Sequence, residues 1–156
     1  VQTMARIAQV TEQSQLFVDW LRDAGRSGDK DVTHAIGHVA CEISEDLEAD
    51  AIIASTVSGS TARRVASYRP STPILAPTPS PRTYRQLSLV WGVEPLLVDS
   101  FQDTEDMIVT VLKASEARGM VRQGDLVILT AGVPLGGSGQ TNLLKVHRVG
   151  EEKGWR

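Results

Sequence analysis

Short apolar runs alternate with helical patterns along this chain, and no other feature limits the possible folds so strongly. Strand-like runs with few polar interruptions occupy residues 51–54, 74–76, 93–98 and 125–130. Strands that are apolar on both faces are typical of a mainly parallel sheet covered by helices on both sides. The sequence therefore predicts an α/β fold, a three-layer α/β/α sandwich around a mainly parallel five-stranded sheet.

The fifth predicted strand, residues 142–149, departs from the parallel pattern. It follows the fourth strand after a loop too short for a crossover, so we expect an antiparallel strand at the sheet edge. Leu144 and Val146 would lie on one face, with Lys145 and His147 on the other. Such an edge can pair with a second copy of the chain, or its charges can simply prevent pairing; the pattern leaves both open.

The helical patterns between the strands predict boundaries and buried stripes. The first helix after residue 30 is expected to begin at Asp31 or Thr33, and a helix over residues 82–91 is expected to stop at Gly92. The second strand is expected to end before Pro77. The predicted buried residues are Ile36, Val39, Ala40, Ile43 and Leu47 in the first helix, and Leu87, Val90 and Trp91 in the second.

The segment after the first predicted strand is rich in hydroxyl groups. Thr56, Ser58, Ser60 and Thr61 surround Gly59, and a helical pattern begins at Thr61. A helix start leaves backbone N–H groups unpaired at the positive end of the helix dipole, and glycine lets a ligand approach closely. The bend is therefore either a phosphate site or an ordinary helix cap.

A second loop, residues 131–141, is rich in glycine. It contains Gly132, Gly136, Gly137 and Gly139, and it matches neither the dinucleotide fingerprint nor the P-loop. Like the hydroxyl-rich bend, it leaves a strand at its carboxyl end, where ligands bind in such sheets. We therefore expect the two segments to face one crevice, the bend as its floor and the glycine loop as a flap.

Two other chemistries fit the sequence less well. His34, His38 and Glu42 share a helical spacing beside Cys41, but the glutamate is misplaced for a His-Glu-x-x-His zinc site, so we favour a solvated or interface helix face. A serine hydrolase would need a Gly-x-Ser-x-Gly elbow, which is absent. His147 on an edge strand would also be a poor general base.

Composition narrows the classes of function. The 156 residues, 41% hydrophobic and 22% charged, are enough for one domain with its own core. The net charge is −3 and the basic residues are scattered, so we expect no nucleic-acid partner. The apolar runs are too short for a membrane span. Cys41 is the only cysteine, which excludes an internal disulfide and agrees with a cytoplasmic location.

The first residues predict that the chain is a piece of a longer protein. Val1, Met4, Ile7 and Ala8 are spaced as on one helix face, with no capping residue ahead of them. Val1 is also not an initiator methionine. We expect the missing part to hold the chemistry.

Several segments, taken in chain order, carry a family likeness that extends from about residue 31 to residue 149. They are Ser55-Thr56-Val57-Ser58-Gly59-Ser60-Thr61-Ala62-Arg63, Tyr68-Arg69-Pro70 with Pro73-Ile74, Leu89-Val90-Trp91-Gly92-Val93, Ala117-Arg118-Gly119 with Gly124-Asp125, and Thr130-Ala131-Gly132-Val133-Pro134 through Ser138-Gly139 to Thr141-Asn142. In that order they resemble the C-terminal domain of pyruvate kinase, in its bacterial form.

This resemblance implies a domain organisation and an activity for the parent enzyme. Residues 1–22 would be the end of the catalytic-barrel helix and a connector, residues 23–30 a linker, residues 31–150 the C-terminal domain and residues 151–156 a tail. The parent would transfer phosphate from phosphoenolpyruvate to ADP in glycolysis, with magnesium and usually potassium. Because its active site lies in the barrel and lid, we expect this fragment to be inactive alone and to hold no cofactor.

The resemblance also implies an effector site and a subunit contact. The hydroxyl loop would hold the phosphate of an allosteric sugar or nucleotide, and the glycine loop would close over it. The strand matching residues 143–149, with Leu143 at its start and Val149 at its end, would join subunits of a tetramer. The implied effector-binding residues are Thr56, Ser58, Gly59, Ser60, Thr61, Gly137, Ser138 and Gly139.

Three positions depart from the animal members that fructose 1,6-bisphosphate activates. Those members clamp the second phosphate with a tryptophan and an arginine, where the nearest residues here are Ser100 and Met107, and Val57 stands where some carry lysine. The missing positive charge favours a monophosphate such as AMP or ribose 5-phosphate. A free-standing small-molecule-binding protein of the same fold is the alternative, and a start codon just before Val1 would favour it.

Overall fold

The chain divides into two units, residues 1–30 and residues 31–156. This computed structural model describes residues 1–14, 16–17, 31–134 and 140–151. In the first unit, helix α1 (Gln2–Glu12) begins without a side-chain cap. The predicted linker at residues 23–30 lies outside the described residues.

Five strands in the described part of the second unit form one sheet. They lie in the order β3-β2-β1-β4-β5, and β5 pairs antiparallel with β4 at the edge while the other pairs are parallel. The predicted mainly parallel sheet with an antiparallel edge strand is therefore confirmed. The strands are β1 (Ala51–Ala54), β2 (Ile74–Thr78), β3 (Val93–Leu97), β4 (Leu126–Ala131) and β5 (Leu143–Arg148).

Helices cover both faces of this sheet. α2, α3 and α4 contribute to the core on one face, and α5 contributes to the core on the other. None of the helices in the described ranges is long and apolar enough to cross a membrane. The helices are α2 (Val32–Asp46), α3 (Ser60–Ser67), α4 (Pro81–Leu87) and α5 (Thr104–Ala117).

Alternate residues of the central strand enter two separate cores. In β1, Ile52 packs with Val65 of α3, whereas Ile53 packs with Met107 and Val111 of α5. All five side chains are almost completely buried, and each such burial stabilises the fold by about 1.5–3 kcal/mol. The sheet is therefore covered on both sides, which confirms the three-layer sandwich.

The buried face of α2 differs from the predicted stripe. Val39 and Leu47 were expected to be buried but are exposed, and Ala40 is the stripe residue that is fully buried. Small residues form the contact face instead, because α2 lies very close to α3: a Cβ on Gly37 would be 2.9 Å from Cγ of Arg64. The residues buried on α2 are Gly37, Ala40, Cys41 and Ser44.

The inward orientation predicted for Trp91 is wrong. α4 ends at Leu87, earlier than expected, and the chain then turns toward β3 through Gly92, whose φ is +67°. Trp91 remains 41% exposed, and the Arg69 guanidinium lies over its ring at 4.2 Å from the centroid. Val90 still packs against the core beside buried Leu87, as predicted.

The second strand runs through Pro77, although the sequence predicted that it would end before that residue. The Pro77 carbonyl accepts a hydrogen bond from the Thr56 N–H at 3.1 Å. Because the nitrogen and oxygen of one strand residue face the same neighbour, Pro77 faces the end of β1 and has no N–H to donate to it. The proline therefore limits the pairing of β1 with β2 at the point where the bend begins.

Candidate functional site

The bend between β1 and α3, residues 55–59, leaves the middle of the sheet. The Ser55 N–H donates to the Thr130 carbonyl on β4 at 2.9 Å, and the Thr56 N–H donates to β2. α3 and α4 lead the chain outward to β2 and β3 on one face, whereas α5 returns it to β4 on the other. The β1–β4 pair is therefore the point where the strand order reverses, which is the usual ligand position in such sheets.

Gly59 is the residue from which α3 starts. Its φ is +88°, a left-handed conformation that glycine adopts without strain, and its N–H donates to the Thr56 hydroxyl at 2.9 Å. A Cβ at this position would lie 3.3 Å from Cγ2 of Thr83 and 3.4 Å from Cδ2 of Leu87. Both the backbone conformation and the packing therefore select glycine here.

The start of α3 lacks the side-chain cap that a simple capping interpretation requires. Within the described residues, no acceptor is found for the backbone N–H groups of Val57, Ser58, Thr61 and Ala62, and the Ser60 N–H has only a 3.4 Å contact with the Ser58 hydroxyl. These groups lie at the positive end of the α3 dipole. The start of α3 is therefore not completed by a side-chain cap, and its N–H groups are available to another partner.

The four hydroxyl residues of the bend fall into two groups. Ser58 is exposed and Ser60 half-buried, and their hydroxyls lie 3.0 Å apart. Thr56 and Thr61 are buried: the first accepts from Gly59, and the second is bonded to the Thr141 hydroxyl at 2.8 Å. The two serines are therefore the more accessible pair, while each threonine is held by a hydrogen bond within the domain.

The glycine loop can be described by its two ends. Gly137, Ser138 and Gly139 lie outside the described residues. At the base of the loop, the Asn142 side chain accepts from the Val133 N–H at 2.8 Å and donates to the Val133 carbonyl at 2.6 Å. The Thr61–Thr141 hydrogen bond brings the end of this loop to the start of α3. The bend and the loop would need this proximity to face one crevice.

Sequence reasoning missed two residues near the bend. Nε of Arg63 lies 3.5 Å from the position of a Cβ on Gly59, so this guanidinium adds positive charge at the helix start. The sequence did contain a signal for Arg63, because a residue four places after Gly59 lies on the same side of the helix. Thr141 carried no such signal, since its partner Thr61 lies 80 residues away in the chain.

A family model described as "Pyruvate kinase, alpha/beta domain" matches residues 34–147. The chain belongs to the pyruvate kinase α/β domain family. The matched residues extend from α2 into β5, so they include the whole bend and both ends of the glycine loop.

Individual pyruvate kinases agree with this family assignment. One from Clostridium acetobutylicum is 42% identical over 149 residues, which cover 96% of this chain and 32% of that protein. One from Staphylococcus aureus is 40% identical over 152 residues, covering 97% and 26%. A solved pyruvate kinase from Cryptosporidium parvum superimposes with a TM-score of 0.75 at 31% identity, covering 91% and 28%. The chain therefore spans about a third or less of the length of these relatives.

The histidines on α2 of this pyruvate kinase domain lie half-buried on one face of the helix, where they contact neighbouring side chains. Nδ1 of His38 lies 3.6 Å from Oε2 of Glu42, and the rings of His34 and His38 each pack edge-to-face with the Tyr68 ring. Burial, and then the nearby Glu45 and Glu42, raise the pKa of Cys41 to about 12, so its thiol stays protonated. Within the described residues, no group of three or more metal-binding side chains is found.

His147 lies on the edge strand of this domain, on the α5 side with Lys145 and Leu143. Burial, and then the positive charge of Lys145, lower its pKa below the ordinary value of 6.5, against the opposing effect of Glu151. The imidazole is therefore neutral at neutral pH. Lys145 is therefore the charged side chain on that face of β5.

Proposed function

We propose that this pyruvate kinase C-terminal domain binds a phosphorylated effector at the bend between β1 and α3. The observation that carries the proposal is the uncapped start of α3, where backbone N–H groups lack acceptors at the point of strand-order reversal. Water or a ligand can satisfy such groups, and an anion is the ligand that the helix dipole favours.

The chemistry of the bend supports an anionic ligand. Residues 55–63 contain no carboxylate, and their unpaired groups are hydrogen-bond donors: backbone N–H groups, the Ser60 hydroxyl and the Arg63 guanidinium. A phosphate offers acceptor oxygens to all of these at once. A cation would find no carboxylate there, so the site is better suited to a phosphoryl group.

The charges around the bend support a monophosphate, AMP or ribose 5-phosphate, over fructose 1,6-bisphosphate. Val57 places an apolar side chain on the exposed bend. Met107 is buried in the α5 core at 1% exposure, so it cannot contact a second phosphate, and Ser100 carries no charge. Arg63 supplies positive charge beside Gly59, which suits one phosphate group.

Calorimetric titration of the chain with AMP, ribose 5-phosphate and fructose 1,6-bisphosphate tests this proposal. We expect saturable binding of at least one monophosphate, with the bisphosphate binding more weakly. Absence of binding by all three would contradict the effector site. Tighter binding of the bisphosphate would contradict the assignment of a monophosphate.

The second part of the proposal is a subunit contact through β5. This strand is the sheet edge, and its outer side offers backbone groups to which a second copy can pair. Val146 is 40% exposed on one face, which gives such a pair an apolar contact. We expect self-association of the chain in sedimentation experiments, and a shift toward monomer for Val146→Lys. Equal association of both proteins would contradict this contact.

The catalytic role belongs to the parent enzyme in this proposal. The relatives are pyruvate kinases of about three times this length or more, and we propose that the parent transfers phosphate from phosphoenolpyruvate to ADP in the cytoplasm with magnesium and potassium. The chain alone should then form no ATP from phosphoenolpyruvate and ADP. ATP formation by the purified chain, detected in a coupled luminescence assay, would contradict this division of roles.

A further inference from the structure

Thr141 connects the beginning of β5 to the starts of two helices. Its hydroxyl shares a 2.8 Å hydrogen bond with the Thr61 hydroxyl on α3, and its N–H donates to the Thr33 hydroxyl on α2 at 3.0 Å. Thr141 is 1% exposed and Thr61 is 4% exposed, so water does not compete for their contact. The edge strand therefore begins beside a residue that is held by the helix of the proposed effector site.

A second buried hydroxyl, that of Thr130, indicates a ligand near the Thr61–Thr141 contact. Within the described residues, Thr130 Oγ1 has no hydrogen-bond partner, although Thr130 is 1% exposed at the carboxyl end of β4. Its register partners Ala54 and Leu144 both pack on the face that α2 and α3 cover, so its side chain projects toward that same face. Because native proteins leave few buried polar atoms unpaired, we expect a ligand or its bound water to hydrogen-bond to the Thr130 hydroxyl.

We propose that the Thr61–Thr141 hydroxyl contact couples occupation of the effector site to the position of β5, with Thr141 as a positioning residue. This rests on the proposed phosphate site at the start of α3. A bound anion accepts a hydrogen bond from the Thr61 hydroxyl, so the Thr61 oxygen must then accept from Thr141. Either hydroxyl can donate without a ligand, and the anion selects one of the two orientations.

The orientation of the Thr141 hydroxyl affects β5 through the contacts of the next two residues in the chain. The Asn142 N–H donates to the Ala131 carbonyl at 3.1 Å, and Leu143 is the register partner of Ala131 at the first position of the edge strand. Fixing the Thr141 hydroxyl as the donor therefore restrains the first residues of β5. The contact gives the chain a physical link between an effector and the edge that we propose joins subunits.

Hydrogen–deuterium exchange with AMP tests this link. In the unmodified chain, saturating AMP should slow amide exchange over residues 141–146 by about fivefold or more, the lower end of ordinary allosteric coupling. Thr141→Val removes the hydroxyl and keeps the side-chain volume, so the slowing should fall below about twofold. Thr141→Ser should restore it. Thr110→Val removes a threonine hydroxyl from α5 and should respond like the unmodified chain.

A measurement on the unmodified chain avoids any loss of folding in the variants. The slowing in β5 should follow the calorimetric AMP binding curve, while amides of β3 at the opposite edge keep their rates. Binding with no response in β5, or an equal response in folded Thr141→Val, would overturn the coupling and leave the effector site standing. Absence of AMP binding by calorimetry would overturn both.

Discussion

The described helices of the second unit begin in two different ways. α2, α4 and α5 start from Asp31, Ser80 and Asp103, whose side chains accept hydrogen bonds from backbone N–H groups at 2.6, 3.2 and 2.8 Å. α3 starts from Gly59, which has no side chain with which to do the same. Three helix starts are therefore completed by their own residues, and the fourth is left open.

The difference shows where the chain omits a stabilising contact. A glycine cap costs only a few tenths of a kcal/mol relative to a side-chain cap, so the omission at α3 costs little and leaves the N–H groups available to another partner. α5 also carries Glu105 and Asp106 in its first turn, which complement its dipole, whereas α3 has no acidic residue there and has Arg63 beside Gly59 instead. A bound anion would supply at α3 the negative charge that α5 carries itself.

The largest effect should come from giving α3 a carboxylate of its own. Ser58→Asp places one at an exposed position of the bend, where it competes with a phosphate for the N–H groups and repels it. We expect AMP affinity to fall by about 100-fold or more in calorimetry, since each hydrogen bond to a charged group contributes about 1.5–3 kcal/mol. Ser71→Asp adds the same charge at an exposed turn and should leave AMP binding unchanged. Equal affinities for both variants would contradict the site.

Gly59→Ala tests the conformation that keeps this helix start open. We expect a loss of about 2 kcal/mol in the free energy of unfolding, from the left-handed φ and from crowding against Thr83. Gly119 also has a positive φ, of +70°, but no atom within 4 Å of an added Cβ. Gly119→Ala should therefore cost only about 1 kcal/mol. Equal losses in urea unfolding would show that packing does not select Gly59.

Arg63→Gln sharpens the charge comparison between α3 and α5. Removing this guanidinium should weaken AMP binding by about three- to tenfold at low salt, and the difference should shrink at about 0.5 M salt because ions screen the attraction. Arg118→Gln removes the same charge just after the end of α5 and should have no effect. A weakening by Arg63→Gln that ignores salt would indicate a lost packing contact instead.

The smallest effect concerns a helix start that is already complete. Asp103→Ala should lower the free energy of unfolding by about 1 kcal/mol, and Asp103→Asn should cost much less because asparagine also caps helices. Neither change should alter AMP affinity. A loss of AMP binding in folded Asp103→Ala would mean that ligand binding depends on more than the open helix start.

The sheet was predictable from sequence because its strands are buried on both faces. Ile52 and Ile53 must both be apolar when helices pack on either side, and the short loop before β5 excluded a crossover. The bend was predictable for a local reason as well: its hydroxyls and Gly59 are neighbours in sequence. Such features need no knowledge of distant contacts.

Other features depend on contacts that local sequence does not contain. The buried face predicted for α2 was wrong because the close approach of α3 selects small residues such as Gly37 over the larger Val39. The Thr61–Thr141 bond joins residues 80 positions apart. Trp91 was placed inward because α4 was expected to continue past Leu87, whereas the chain has to turn there to enter β3.

Titration of the ¹⁵N-labelled chain with AMP, followed by ¹H–¹⁵N NMR, tests most directly whether the open start of α3 holds a phosphate. We predict saturable downfield shifts of the Val57, Ser58, Thr61 and Ala62 amide protons with one common binding constant. The capped amide of Asp106 at the start of α5 should not move. Shifts of similar size at both helix starts, or none at α3, would contradict the claim that this start is kept open for an anion.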